Sequence, residues 1–245
     1  MRKLIAILYI VFGWVLNTCA YDFSSVCQSG QTLYYTILTS NTVEVNGNRT
    51  SGDLEIPSSV QNNGISYSVT AIAEEGFEND NITSVVIPNS VRTIKRRAFY
   101  GCECLTTVTF ENGVQEILDE SFKYCNELLS VVLPNSVILI GKDSFGNCSN
   151  LSSLSLGNSI ETIDEYAFCQ CYGLRTVTIP SSVKKLAGGS FFYCSSIETV
   201  YYNAKNCSGG GINSSPFWAC SSFRNLHIGN TVESICDYAF VSCSE

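Results

Sequence analysis

A chain of 245 residues with 45% apolar and only 15% charged side chains is large enough for one sizeable core and has a thinly charged surface. Its 14 basic and 22 acidic residues leave a net charge of −8, which excludes the basic footprint that nucleic acid or an anionic membrane would need. No run of five like charges occurs, so an acidic interaction tail is excluded too.

Met1-Arg2-Lys3 opens the chain, an apolar run from Leu4 to Leu16 follows, and Thr18-Cys19-Ala20 supplies small residues before Tyr21. That layout predicts a secretory signal peptide over residues 1–20, cleaved after Ala20. The competing reading, a lipoprotein signal with Cys19 lipidated, fits less well because threonine directly precedes the cysteine. The apolar run is too short for a transmembrane span and no longer one exists. Cleavage would remove Arg2 and Lys3 and no acid, taking the balance to −10.

Residues 21–53 lack the pattern that governs the rest. Thr32–Leu38 and Thr42–Gly47 alternate as two strands around a Ser40-Asn41 turn, which predicts an N-terminal β-hairpin cap over the first coil.

From residue 54 to 245 one beat dominates: Phe77, Phe99, Phe122, Phe145, Phe168, Phe191, Phe217 and Phe240, at a period near 23 residues. Repeats of that length build a solenoid whose coils bury their apolar faces by stacking. Three residues after phenylalanine comes cysteine, at Cys102, Cys125, Cys148, Cys171, Cys194, Cys220 and Cys243, with Asp80 in that place in the first coil. Alternating apolar pairs such as Val108/Phe110, Val131/Leu133 and Val177/Ile179 then predict one short strand per coil in a parallel sheet. Turn pieces such as Leu133-Pro134-Asn135-Ser136-Val137 end each strand, and a second apolar pair follows, as in Val137/Ile140. Segments such as Arg96-Arg97-Ala98-Phe99 return the chain to its start and are expected to form brief helical turns. The beat slips over residues 203–216, and the chain stops at Glu245 just after a Phe–Cys pair, where a truncated C-terminus is expected.

Units such as Ile87-Pro88-Asn89-Ser90-Val91-x-x-Ile94-x-x-x-Ala98-Phe99-x-x-Cys102-x-x-Leu105-x-x-Val108 resemble the BspA-type leucine-rich repeat. The resemblance implies an α/β-type leucine-rich repeat solenoid, curved and right-handed, of about eight coils. It further implies a secreted or cell-surface protein that adheres to host matrix proteins, glycans or other cells. The alternative is a structural spacer that displays another part of a longer surface protein.

The outward strand positions are where a solenoid would bind. They are Thr107, Thr109, Ser130, Val132, Ser153, Ser155, Thr176, Thr178, Thr199, Tyr201, Asn225 and His227, with Ser84 and Val86 in the first coil. Thr and Val also simply favour strands. Tyr201, Tyr202 and His227 would form an aromatic end to this face, and the single histidine stands beside Tyr201 of the preceding coil.

Arg175, Glu198 and Arg224 share one repeat position and should form an alternating charge ladder. The repeat cysteines point to a ladder of buried free thiols, because equivalent side chains point the same way and that geometry bridges poorly. Cys27, Cys207 and Cys236 lie off the ladder, and any two could form a local bridge that sequence does not assign. No catalytic constellation, metal set or cofactor motif emerges, so the expected protein is not an enzyme and carries no cofactor. Its expected partner is an extracellular protein or glycan. Six Asn-x-Ser/Thr sequons, at Asn48, Asn81, Asn147, Asn150, Asn206 and Asn213, could carry glycans. Nothing fixes an oligomeric state.

Overall fold

The protein is described by a computed structural model over residues 21–211 and 214–243. The signal-peptide segment, with Cys19, lies outside the described residues, as does Asn213. Among the described residues there is no α-helix, and therefore none long and apolar enough to cross a membrane.

The chain begins with β1 (Phe23–Val26), β2 (Thr32–Ile37), β3 (Thr42–Asn46), β4 (Ser51–Glu55), β5 (Ser59–Asn62) and β6 (Ile65–Ile72). β1 pairs antiparallel with β2, and β2 with β3, where Ile37 faces Val43. Leu33, Tyr35, Val43 and Val45 point inward and are fully buried, as the alternation of their strands requires.

The coils then contribute a longer and a shorter strand in alternation. These are β7 (Asn81–Ile87), β8 (Thr93–Ile94), β9 (Thr107–Phe110), β10 (Glu116–Ile117), β11 (Ser130–Val132), β12 (Leu139–Ile140), β13 (Ser153–Ser155), β14 (Thr162–Ile163), β15 (Thr176–Ile179), β16 (Lys185–Leu186), β17 (Thr199–Tyr202) and β18 (Asn225–Ile228). Each coil therefore has three sides. The longer strands make one side, in ladders β4-β7-β9-β11-β13 and β15-β17-β18. The shorter strands make a second side and continue the N-terminal sheet in the order β1-β2-β3-β6-β8-β10-β12-β14-β16. The expected single parallel sheet is thus two sides of strand, and the longer-strand side is divided between β13 and β15.

The third side is the return segment, and here the helical turns expected from sequence do not form. The residues two before and two after the column phenylalanines take left-handed backbone, Phe217 having only the later one: Arg97 and Gly101 around Phe99, Asp143 and Asn147 around Phe145, Tyr166 and Gln170 around Phe168. A helix cannot run through such residues. Alternate N–H groups instead serve two directions. Asp143, Phe145 and Asn147 donate to the carbonyls of Glu165, Ala167 and Cys169 in the next coil, while Gly146 and Cys148 donate back to Asp143 and Phe145. Stacking between coils satisfies the groups that a helix would have paired internally.

The core is a column of parallel rings. From Phe77 to Phe240 successive centroids lie 5.1 or 5.2 Å apart with planes within 10°. Phe77 through Phe217 are buried, and Phe240 is half-buried. Gly47 lies under the start of the column, where a Cβ would come within 2.5 Å of the Phe77 ring. The 26-residue step from Phe191 to Phe217 leaves the spacing intact at 5.1 Å. The irregular segment is accommodated by strand bridges to both sides, Lys185 to Ser208 and Asn206 to Ser234.

The cysteines run beside the column. Each repeat cysteine donates its thiol to the carbonyl of the preceding coil's phenylalanine, from Cys102 to Phe77 through Cys243 to Phe217, at 3.0–3.3 Å. Burial pushes the thiols of Cys102 and Cys243 up to about 12, and it raises those of Cys125, Cys148, Cys171 and Cys220 well above the ordinary thiol range.

Candidate binding face

The outward side chains of the longer strands form a polar strip in two parts, because parallel, in-register pairing within each ladder keeps equivalent positions side by side. Thr107, Ser130 and Ser153 stand in one row, with Ser84 before them. Thr176, Thr199 and Asn225 make a second row, and Thr178, Tyr201 and His227 a third. Thr109, Val132 and Ser155 are exposed alongside, and Ser84 and Thr199 are half-buried. Val132, 63% exposed, is an apolar member of this otherwise polar row.

The aromatic end is only partly as expected. The Tyr201 and His227 rings stack at 4.6 Å between centroids with planes 13° apart, and Tyr201 is 41% exposed. Tyr202 turns the other way and is completely buried, as the residue after an outward position must be. Leu226 and Ile228 pair with the inward Val200 and Tyr202, so their exposed apolar surface lies on the other face of the strand from the stack. Asn225 Nδ2 donates to Thr199 Oγ1 at 3.4 Å.

The charge ladder is likewise partial. Arg175 pairs with Glu198 at 2.9 Å, but no Glu198–Arg224 pair forms among the described residues. Both partners are solvent-exposed, so the pair contributes roughly 0–1 kcal/mol.

Two features had no counterpart in the sequence reading. Asp53 on β4 caps the other end of the strip, where its Oδ1 accepts hydrogen bonds from Ser84 at 2.6 Å and Thr83 at 2.8 Å. Those bonds, with Ser84 foremost, hold its carboxyl below the usual carboxylate range. The signal was faint because residues 51–55 lie ahead of the repeat. A shallow recess of about 270 Å³ lies away from the strip, lined by Glu165, Tyr166, Lys185, Gly209, Gly210 and Ser214. It forms where the irregular segment passes the coil before it, and Lys185 there is already paired with Asp164 at 2.9 Å.

Among the described residues no three His, Cys, Asp or Glu side chains are grouped to hold a metal ion. The strip offers hydroxyls, one amide, an imidazole and a phenol, which is chemistry for many shallow hydrogen bonds and ring contacts.

A family model of the BspA type leucine rich repeat region matches the chain in six copies, over residues 70–198 and 210–245, more than half its length. Among solved structures, the chain is similar to the pneumococcal vaccine antigen PcpA, at 17% identity and a TM-score of 0.61, over 86% of this chain and 71% of that one. It is also similar to a Treponema pallidum leucine-rich repeat protein, T. pallidum TpLRR, at 25% identity and a TM-score of 0.58, over 84% and 87%. A comparison with curated proteins gives no match.

Proposed function

The chain belongs to the BspA-type leucine-rich repeat family, and from that premise we propose that it is a secreted or surface-displayed binding protein that holds an extracellular protein or glycan on its longer-strand side. The observation that carries the reading is the Tyr201–His227 stack standing exposed at one end of a strip of hydroxyl side chains. Aromatic side chains lose few torsions on binding and dominate most contact energies. The stacked coils hold the strip in one geometry, which limits the ordering cost on association. The signal-peptide pattern at residues 1–20 supports export, and the apolar-and-polar mixture without basic patches supports a neutral polar partner over a phosphate polymer.

The test is a binding screen of the secreted protein against immobilised matrix proteins and a glycan array, repeated with Tyr201→Ala and His227→Ala combined. We expect at least one ligand, and about a tenfold or greater loss of affinity in the double variant, as for a central aromatic anchor. The melting temperature should stay unchanged, because both side chains are on the surface. Binding that survives the double substitution would remove the aromatic end from the site. No binding across the screen would favour the spacer reading.

A further inference from the structure

The seven ladder cysteines occupy one repeat position and run parallel, but Cys207 and Cys236 do not. Cys207 stands ten residues before Phe217 and Cys236 four before Phe240, so their side chains come from unlike repeat positions. Their backbones are adjacent: Asn206 bridges Ser234 in parallel, and the Lys205 carbonyl accepts from Glu233 at 2.8 Å and Ser234 at 3.2 Å. Neighbouring strands offset by a residue or so place Cα atoms about 6 Å apart, within the range a disulfide spans. Cys207 is 8% exposed and Cys236 3%, and the Tyr202 hydroxyl sits with them, accepting the Cys236 N–H at 3.3 Å.

The Cys236 thiol, foremost, and the Tyr202 hydroxyl lie within hydrogen-bonding reach of the Cys207 sulfur, whose own thiol reaches the Ser208 carbonyl at 3.5 Å. Together they hold its pKa down to about 7, whereas donation to Cys207 and burial push Cys236 up. Cys236 and Tyr202 are the titratable groups in contact with it. An attacking thiol is fastest when it titrates near ambient pH, whereas burial pushes Cys102, Cys125, Cys148, Cys171, Cys220 and Cys243 of the ladder upward. Of the other off-ladder cysteines, Cys27 is remote, in the N-terminal sheet against Ser29 at 3.1 Å, Cys104 is exposed, and Cys169 reaches Asp143 at 3.6 Å.

We propose that Cys207 and Cys236 form a redox couple, with Cys207 the attacking thiol and Cys236 the resolving one, whose product is a disulfide stapling the irregular coil to the next. The oxidant is a small-molecule disulfide. Cys207 loses its proton and attacks one sulfur, forming a mixed disulfide and expelling a thiolate that takes up that proton. Cys236 then loses its proton and attacks the Cys207 sulfur, expelling the second thiolate, which is protonated in turn. Two electrons pass from the cysteines to the small disulfide, which leaves as two thiols.

The test uses the reduced full chain carrying Cys104→Ser, which removes the exposed cysteine, with oxidised glutathione at neutral pH and peptide mapping by non-reducing mass spectrometry. The expected product joins Cys207 to Cys236. Cys236→Ser should stop at a glutathione adduct on Cys207, Cys207→Ser should give neither product, and Tyr202→Phe should slow the reaction. Circular dichroism confirms that each variant is folded. Independently of any of these variants, native alkylation of the reduced wild-type chain should label Cys207 before any other buried cysteine. Free Cys207 and Cys236 after oxidation, a bridge through a ladder cysteine, or labelling of Cys207 no faster than the ladder would each overturn the proposal.

Discussion

Asp80 shows how one residue can mark an end of a repeat without breaking it. Every later coil has a cysteine here that donates to the preceding phenylalanine carbonyl, but Asp80 precedes any such partner. It accepts instead, from the N–H of Thr50 at 2.9 Å, and so fastens the N-terminal strands to the first coil. Both residues are buried. Asp80→Ala would strand that N–H and should cost about 1–3 kcal/mol in denaturant unfolding, while Asp80→Asn, which keeps an acceptor, should cost less. Burial raises the Asp80 carboxyl above its ordinary value, outweighing the Thr50 hydrogen bonds that lower it. Its contribution is therefore fully present below the unfolded-state pKa and is lost as pH rises through the folded-state one. Unfolding curves at acid and neutral pH should show a smaller pH slope in Asp80→Asn than in wild type; an unchanged slope would contradict the buried carboxyl.

Within each coil, the phenylalanine organises the return segment by fixing where the chain must turn inward. Phe145 lies between two parallel rings at 5.1 and 5.2 Å and is fully buried. Phe145→Ala should cost about 3–5 kcal/mol, and a loss below about 1 kcal/mol in equilibrium unfolding would contradict its place in the column. This column and the thiol ladder were legible in sequence because a solenoid turns an exact repeat of residue type into a stack. The return turns were not, because the left-handed positions mix Gly101, Asp143 and Asn147, which tolerate that backbone, with Arg97, Tyr124 and Gln170, which have no preference for it, so no residue type marks the place. Only hydrogen bonds to the next coil, which sequence does not display, make the conformation worthwhile. The shorter strands escaped for another reason: two residues, as in Thr93–Ile94, are too few for a period to register. On the longer-strand side, register alone put His227 against Tyr201, whereas Cys207 meets Cys236 through an irregular segment whose register sequence could not supply.

At the scale of the molecule, each coil contacts its neighbours, so stability should propagate from coil to coil and fade with distance. The ring column makes that measurable. Phe145 and Phe168 are adjacent at 5.2 Å, whereas Phe99 and Phe217 are separated by five steps of the column, roughly 26 Å, well beyond the ~7–10 Å within which substitutions couple. Phe→Leu at each of the four positions keeps the core apolar and shortens only the ring contact. In double-mutant cycles by chemical denaturation, the adjacent pair should show a coupling of about 0.5 kcal/mol or more, because each substitution changes the ring that the other leans on. The distant pair should be additive within about 0.5 kcal/mol. Strong coupling across the distant pair would mean that the coils respond as one block, and the irregular segment between Phe191 and Phe217 would then transmit strain. Additivity there, with coupling next door, would show the nearest-neighbour stack that a rigid, extended binding strip requires.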